Sequence, residues 1–277
     1  MKTHNLLPTQ EETNPAVQAV DLFTMSRILS DFKSIGLEEL DEQKLQDRMD
    51  TKFLFDADNL PQILSEMQQD YAILEINDST LQPYLTLYFD TLDFDNYFDH
   101  HNGKRPRFKI RMRKYVNSGN AFLEIKEKDN KDRTIKSRMA VRDINNRLTP
   151  DQYQFISQIY GPGLVPLKPV IWNRYNRMTL INKHSLERVT IDLNFSAYNQ
   201  NGFISWNPFA IAEIKQDSRS LNTTFYNALK ARAIKPVNFS KYCISMALLT
   251  PQLKANKFKP NIEIIKSSLH RRLIYAF

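Results

Sequence analysis

Between Lys104 and Tyr115 the chain reads KRPRFKIRMRKY, and its charges keep a two-residue period. Arg105, Arg107, Lys109, Arg111 and Arg113 occupy odd positions, with Phe108, Ile110 and Met112 between them. Side chains alternate across a strand, so as a strand this segment has one wholly cationic face and one apolar face. A helix would scatter the same residues around its circumference. The feature therefore selects a strand, and it leaves a row of like charges that repel one another unless an anion lies along them.

Other segments repeat the arrangement. Phe122, Glu124, Lys126 and Lys128 share a face opposite Leu123 and Ile125, and Arg188, Thr190 and Asp192 oppose Val189, Ile191 and Leu193. Glu213 and Lys215 oppose Ala212 and Ile214, while Arg48, Asp50 and Lys52 oppose Met49, Thr51 and Phe53. Two architectures satisfy the pattern. One is a half-buried sheet with its charged face in water; the other is a barrel closed around its polar faces, with helices on the apolar outside. A solvated face usually mixes signs and uses Lys freely, whereas four Arg fall on this one stretch, and guanidinium forks suit phosphate oxygens. The pattern alone leaves both architectures open. Single-strand nucleic-acid binders interleave exposed aromatics with basic residues so that bases can stack. Here Phe108 lies opposite the arginines and only Tyr115 shares their parity, so nucleic acid is not the expected partner.

Along the chain, residues 1–15 read as a lead. Helical spacing of Val20, Phe23, Met25, Ile28, Leu29, Phe32, Ile35 and Leu37 predicts one amphipathic helix from Ala16 to Leu40, ending near Gly36. A strand follows at Arg48–Phe55, then a helix opening near Asp58 with Pro61 in its first turn and Ile63, Leu64 and Met67 buried. Strands are expected at Tyr84–Asp90, Phe108–Tyr115, Ala121–Lys128 and Thr134–Val141, with Asn117-Ser118-Gly119-Asn120 turning a hairpin. Thr149-Pro150 starts a helix to about Tyr160. Further strands are read at Val170–Ile181, Glu187–Phe195 and Phe209–Lys215, and helices at Asn222–Ala233 and Lys241–Leu249. From Pro251 the chain is basic and reads either as a capping helix or as partly disordered. Many strands with helices between pairs of them give an α+β, largely antiparallel fold.

At 277 residues, 42% apolar and 25% charged, the chain has the makings of a globular protein and not of a disordered one. The net charge of +7 points to an anionic partner. The single cysteine, Cys243, excludes an intrachain disulfide and a cysteine-based metal site, and fits a reducing compartment. No stretch reaches the ~20 apolar residues of a membrane span, and MKTHNLLPTQ does not read as a signal peptide. The expected location is the cytoplasm.

With these segments in place, the chain resembles the polyphosphate polymerase domain of vacuolar transporter chaperone (VTC) proteins, within the triphosphate tunnel metalloenzymes. The resemblance is carried by Arg48-Met-Asp-Thr-Lys-Phe53, Tyr88-Phe-Asp-Thr91, Lys109-Ile-Arg-Met-Arg-Lys114, Leu123-Glu-Ile-Lys126, Arg174-Tyr-Asn-Arg177, Arg188-Val-Thr-Ile-Asp192, Ala212-Glu-Ile-Lys215 and Phe239-Ser-Lys-Tyr242, in the family's order. It implies a tunnel of about eight antiparallel strands, a closed β-barrel lined with cations and with helices outside. It divides the chain into a lead and helix (1–45), a tunnel domain (46–250) and a basic tail or capping helix (251–277).

The resemblance further implies ATP-dependent polyphosphate synthesis, with the γ-phosphate passed to a growing chain and Mn²⁺ or Mg²⁺ as cofactor. Lys52, Arg111, Arg113, Lys126, Arg177, Arg188 and Lys241 would act on phosphate. Lys109 and Lys215 would add cationic contacts and Tyr175 and Ser240 hydroxyl contacts to substrate. Glu213 would hold the metal, with Glu124 either a second ligand or a partner of Lys126 and Arg113. The partners implied are ATP and inorganic polyphosphate. A homo-oligomer, or a membrane partner supplied by another chain, would be compatible with it. A triphosphatase or polyphosphatase on the same fold and a non-catalytic polyphosphate-binding module are the alternatives.

Some positions depart from the family pattern. Asn238 stands where some members carry a basic residue, with Lys235 nearby, and Asp50 stands where tunnel enzymes often carry Glu. Arg174 and Arg177 have opposite parity, so without a bulge only one faces inward; Arg177 is the inward choice and Arg174 the surface or rim residue. His100 and His101 read as solvated in a polar loop, Cys243 as a small buried hydrophobe, and Lys131–Arg142 as either a guard of a tunnel mouth or a solvated charge run. With some 45 residues ahead of the tunnel domain, no inositol-phosphate-sensing domain is expected there.

Overall fold

The computed structural model of the protein describes residues 20–42, 49–131, 133–216 and 222–274. Its elements begin with α1 (Leu22–Leu29), β1 (Lys33–Ile35), α2 (Leu37–Glu42), β2 (Met49–Asp56), α3 (Leu60–Met67) and β3 (Tyr71–Leu74). There follow β4 (Gln82–Thr91), α4 (Asp95–Asn102), β5 (Arg107–Tyr115), β6 (Ala121–Lys128), β7 (Thr134–Val141) and α5 (Pro150–Tyr160). The remainder comprises β8 (Leu167–Asn182), β9 (Glu187–Asn199), β10 (Gly202–Ser205), β11 (Phe209–Gln216), α6 (Thr224–Ala231), α7 (Lys241–Leu249) and α8 (Lys259–Ile274).

The main sheet runs β2-β11-β9-β8-β4-β5-β6-β7, and every neighbouring pair in it is antiparallel. The antiparallel α+β architecture expected from the sequence is present. A barrel closed by hydrogen bonds is not: among the described residues the ladder is an open path from β2 to β7. Lys136 and Arg138 on β7 give that edge the charged character that resists pairing with another strand. The sheet is nevertheless curled. Lys126 on β6 lies within electrostatic reach of Lys52 and Asp50 on β2 and of Glu213 on β11, at the other side of the path.

The alternation read in the sequence sorts residues between the two faces of this curl. On the convex face, Phe53, Phe55, Met178, Leu180, Val189, Ile191, Leu193, Ala212 and Ile214 pack beneath α1, α3 and α6. Farther round, Leu87, Phe89, Phe108, Ile110, Met112, Leu123 and Ile125 pack beneath α5. A third core lies inside. Leu54, Tyr88, Ile171, Tyr175, Phe195 and Ile211 surround Phe239 and the α7 residues Tyr242, Cys243, Ile244 and Met246, with Ile262 and Ile265 of α8 behind. Each buried side chain of this size contributes roughly 1.5–3 kcal/mol. Apolar packing therefore seats α7 inside the curl more firmly than any single ion pair at its end.

On β9 an extra residue sits opposite β8, where Arg174 pairs with Ser196 and Asn176 with Leu193. Asn194 takes the strained left-handed conformation, φ 51°. Its side chain exchanges hydrogen bonds with the Val20 backbone. This bulge brings Asp192 and Phe195 to the same inner face although their spacing is odd. Arg177 turns inward and Arg174 is exposed, as the parity of β8 requires.

Several expectations are corrected. The single helix expected from Ala16 to Leu40 is broken: Asp21 caps α1 by accepting from Phe23 and Thr24. After Ser30 the chain forms β1, parallel to β3. Pairing with a sheet edge overrides the helical spacing of Phe32 and Ile35; residues 16–19 and Arg48 lie outside the described residues. Strands β3 and β10 and helix α4 were not anticipated. Helix α4 starts because the Asp90 carboxylate accepts from the backbone of Asn96 and Tyr97, and the Thr91 hydroxyl from that of Asp95, so its cap lies upstream and not in its own sequence. His100 and His101 therefore sit on a helix and not in a solvated loop. His101 is buried against Tyr97 and Phe258, and burial near Lys109, Arg107 and Lys126 keeps the His100 imidazole neutral. The segment after Pro251 is helical as α8, and Cys243 is buried as expected.

Candidate active site on the concave face

Three carboxylates organise the cations of the concave face. On β6, Glu124 is 1% exposed and faces Arg111 at 2.7 Å, Lys136 at 2.7 Å and Arg113 at 3.7 Å. Burial raises its pKa, but Arg111, Arg113 and Lys136 outweigh burial and hold the carboxyl well below the usual range. Arg111 also donates to the Tyr88 hydroxyl at 3.2 Å, and Arg113 to the Thr86 hydroxyl at 3.4 Å. Of the expected partners of Glu124, Arg113 is in place, while Arg111 and Lys136 of the neighbouring strand take the place of Lys126. Both of its oxygens already face cations, an arrangement suited to fixing guanidinium groups.

On β9, Asp192 is bound in fork fashion by Arg177, at 2.6 and 2.8 Å, and by Lys241 at the start of α7. Burial raises its pKa, and Arg177 and Lys241 more than reverse this, to about 2. The Arg177 guanidinium lies over the rings of Tyr84 and Tyr175, at 5.1 and 5.4 Å, and the Lys241 ammonium 4.9 Å from the Tyr175 ring. Asp192 was not singled out from the sequence as a site residue. Its signal was present, since it shares the cationic parity of Arg188, but its partners come from β8 and α7.

On β11, Glu213 pairs with Lys52 at 3.1 Å and Lys215 at 2.9 Å, and Lys215 also donates to the Thr190 hydroxyl. Burial raises the Glu213 pKa, and Lys215, Lys52 and Lys126 drive it well below the ordinary value. Glu213 is the least buried of the three carboxylates, 19% exposed against 3% for Asp192 and 1% for Glu124. Among the described residues no cluster of three or more His, Cys, Asp or Glu forms a metal cage. The two oxygens of Glu213 face Lys52 and Lys215, so an ion of the Mg²⁺ type, which takes most of its ligands from water and phosphate oxygens, would share this carboxylate with a lysine.

Two lysines complete the face. Lys109 donates to the hydroxyl of Ser240, the residue that caps α7. Burial lowers its pKa, and Lys52 and Arg111 add to the effect. Lys126 is pushed down to about 8 by burial and by Lys109 and Lys52, against the opposing pull of Glu213 and Asp50. Lys215 and Lys241 are lowered by burial as well, although each has a carboxylate partner. Burial is the first cause in all four, and at Lys109 and Lys126 neighbouring cations add to it, so a polyanion reaching those two lysines would relieve repulsion. Arg188 lies beside Lys215 across the ladder, with one arm on the Leu40 carbonyl.

The structure thus brings Lys52, Lys109, Arg111, Arg113, Lys126, Arg177, Lys215, Ser240 and Lys241 onto one concave face, with Arg188 opposite Lys215 in the ladder. Tyr175 is buried there with a hydroxyl that has no hydrogen-bond partner, and so is the Asn173 amide.

A family model described as the VTC domain matches residues 47–250. A search of curated protein sequences finds no match. Among solved structures, a conserved hypothetical protein from Pyrococcus furiosus is similar at 12% identity, covering 70% of this chain and 97% of that one, with a TM-score of 0.40. A Hippeastrum protein described as having a dominant triphosphatase activity is similar at 12% identity, covering 71% and 94%, with a TM-score of 0.43. An RNA triphosphatase from S. pombe is similar at 10% identity, covering 94% and 98%, with a TM-score of 0.29. At these TM-scores none of the three bears on what this chain does.

Proposed function

The chain belongs to the VTC domain family, and on that premise we propose that it is an ATP-dependent polyphosphate polymerase, transferring the γ-phosphate of ATP to a growing inorganic polyphosphate chain. The observation that carries the reading is the convergence of the Glu124, Asp192 and Glu213 cation groups on one concave face, with Lys109 and Lys126 crowded among those cations.

Phosphoryl transfer needs positioned, neutralised oxygens more than a nucleophilic side chain. Donor and acceptor are both polyanions, and their mutual repulsion is the obstacle that clustered Arg and Lys offset. Arg111 and Arg113, pinned by Glu124, and Arg177, pinned by Asp192, present pre-set forks at little cost in ordering. Lys241 and Ser240 enter from the start of α7, so phosphate held by Lys109 would also meet the helix start. The unpartnered Tyr175 hydroxyl supplies a donor within the same cluster. Mn²⁺ or Mg²⁺, held by Glu213 and substrate oxygens, would neutralise charge on the transferring group. No helix among the described residues is long and apolar enough to cross a membrane; the reading places the enzyme in the cytoplasm, with residues 46–250 as its catalytic domain.

The test is to incubate the pure protein with ATP and Mn²⁺, resolve the products on a gel and measure free phosphate. Long chains without matching free phosphate support the polymerase. Free phosphate alone makes the protein a hydrolase and rejects the reading, and polyphosphate binding without either product reduces it to a binding module. The double substitution Arg111→Ala, Arg113→Ala should lower kcat/KM by at least about 10³-fold, since loss of one such donor typically costs about 10²–10³. Retained activity in that variant would place the chemistry elsewhere.

A further inference from the structure

Beyond the guanidinium groups, the concave face carries a row of aromatic rings that begins in the inner core at Tyr175 and Tyr84 and runs out of it. Tyr175 stacks on Tyr84 at 5.2 Å, Tyr84 meets Tyr115 edge-on at 4.9 Å, and Tyr115 meets Phe122 edge-on at 6.0 Å. The row follows the strand register, with Tyr175 opposite Tyr84 and Tyr84 opposite Tyr115. Phe122 lies opposite Arg113 on the next strand. Tyr84 is already held between the guanidinium groups of Arg113 and Arg177, at 5.2 and 5.1 Å. Tyr115 and Phe122 differ from it. Both are half-buried, and neither belongs to any of the three apolar cores of the described residues. The exposed Arg138 lies over Phe122 at 5.0 Å.

Two aromatic rings outside a core, next to phosphate-type cations, have a specific chemistry available to them. Any nucleobase offers a π-face to an aromatic ring, and a guanidinium can close over the other side. Along β5 the inward positions Arg111, Arg113 and Tyr115 succeed one another at steps of roughly 7 Å, two residues of strand rise. A nucleotide whose phosphates lie on the two arginines would therefore place its base one step farther on. We propose that Tyr115 and Phe122, with Arg138, form the base-stacking subsite of a nucleoside triphosphate donor, leaving Lys109 and Lys126 at the other end of the face for the phosphate chain. The inference rests on the reading of this face as a triphosphate site and adds an orientation to it.

The experiment compares two ligands, ATP and inorganic tripolyphosphate, by calorimetric titration of the full chain and of Tyr115→Ala, Phe122→Ala and Phe122→Leu. ATP affinity should fall about 5- to 150-fold in each alanine variant, the usual span for loss of one base–aromatic stack. Tripolyphosphate affinity should move by less than about twofold. Phe122→Leu keeps apolar bulk without a π-face, so it should behave as Phe122→Ala; Phe122→Tyr should retain ATP affinity, which separates stacking from packing. Equal losses for both ligands, or no loss for ATP, overturn the subsite while leaving the triphosphate site standing. If the unaltered protein binds neither ligand, the triphosphate site and the subsite both fail.

Discussion

Replacing Glu124 with Gln removes one negative charge and almost no volume from a site where three cations meet. In the folded protein the carboxylate is 1% exposed and lies 2.7 Å from Arg111, 2.7 Å from Lys136 and 3.7 Å from Arg113. Removing one partner from a buried ion pair typically costs about 3–5 kcal/mol, because the remaining charge is left uncompensated. For a domain of this size that corresponds to a fall in Tm on the order of 10 °C. The same cations face the proposed ligand, so phosphate oxygens should restore what the substitution removes. Tripolyphosphate at 100 times its Kd stabilises any binding-competent form by about 2.7 kcal/mol, and Glu124→Gln should gain more than the unaltered protein at the same ligand concentration. Acid sensitivity gives a second readout. The folded pKa of Glu124 is depressed, so its contribution is complete above the unfolded value of about 4.3 and is lost as pH falls below it. Glu124→Gln should therefore lose less stability than the unaltered protein between about pH 5 and pH 3. The assay is calorimetric unfolding with and without tripolyphosphate across that range. A Tm within about 2 °C of the unaltered protein, or a gap that tripolyphosphate fails to narrow, would refute the placement of Glu124 beneath the ligand-facing cations.

Lys126, with its pKa pushed down to about 8, should make polyphosphate affinity fall as pH rises through about 8 to 9, and Lys126→Arg should remove that limb; titrations from pH 6.5 to 9.5 in each protein check it. In the absence of ligand the sign reverses for stability: the folded state releases this proton more readily than the unfolded state, so Lys126 makes stability rise between about pH 8 and pH 10.4. Tyr242→Phe removes the hydroxyl that donates to buried Asp90, and should cost about 1–3 kcal/mol in urea unfolding. If α7 is seated as described, the same variant should weaken binding by loosening Ser240 and Lys241.

Alternation along Arg107–Tyr115 carried the strand, its faces and most of the cations, because a two-residue period is a local property of the chain. Whether that face met water or the interior was not local. The decision lies in Leu54, Ile171, Phe195 and Ile211, which put apolar surface on the inner face and receive α7 there. The resemblance supplied the inward orientation before the geometry did, but also a closed ladder that the β2 and β7 edges do not make. Asp192 was hidden because its partners are Arg177, opposite it on β8, and Lys241, on a helix some fifty residues later. Helix α4 was hidden because Asp90 and Thr91 cap it from the preceding strand. Tyr115 was counted as a lone aromatic, since only the strand register reveals that Tyr84 and Phe122 stand beside it.

The seating of α7 also orders events during synthesis. All of the sheet strands precede Lys241, and at about 5–20 residues per second the helix follows β11, the strand that joins β2 to the rest, by seconds. Until Lys241 is made, any sheet the nascent chain completes has its apolar inner residues uncovered and neither Ser240 nor Lys241 in place. The completed phosphate-binding face is thus a late product of translation, and a chain arrested before residue 240 would carry the cations without the helix that finishes the site.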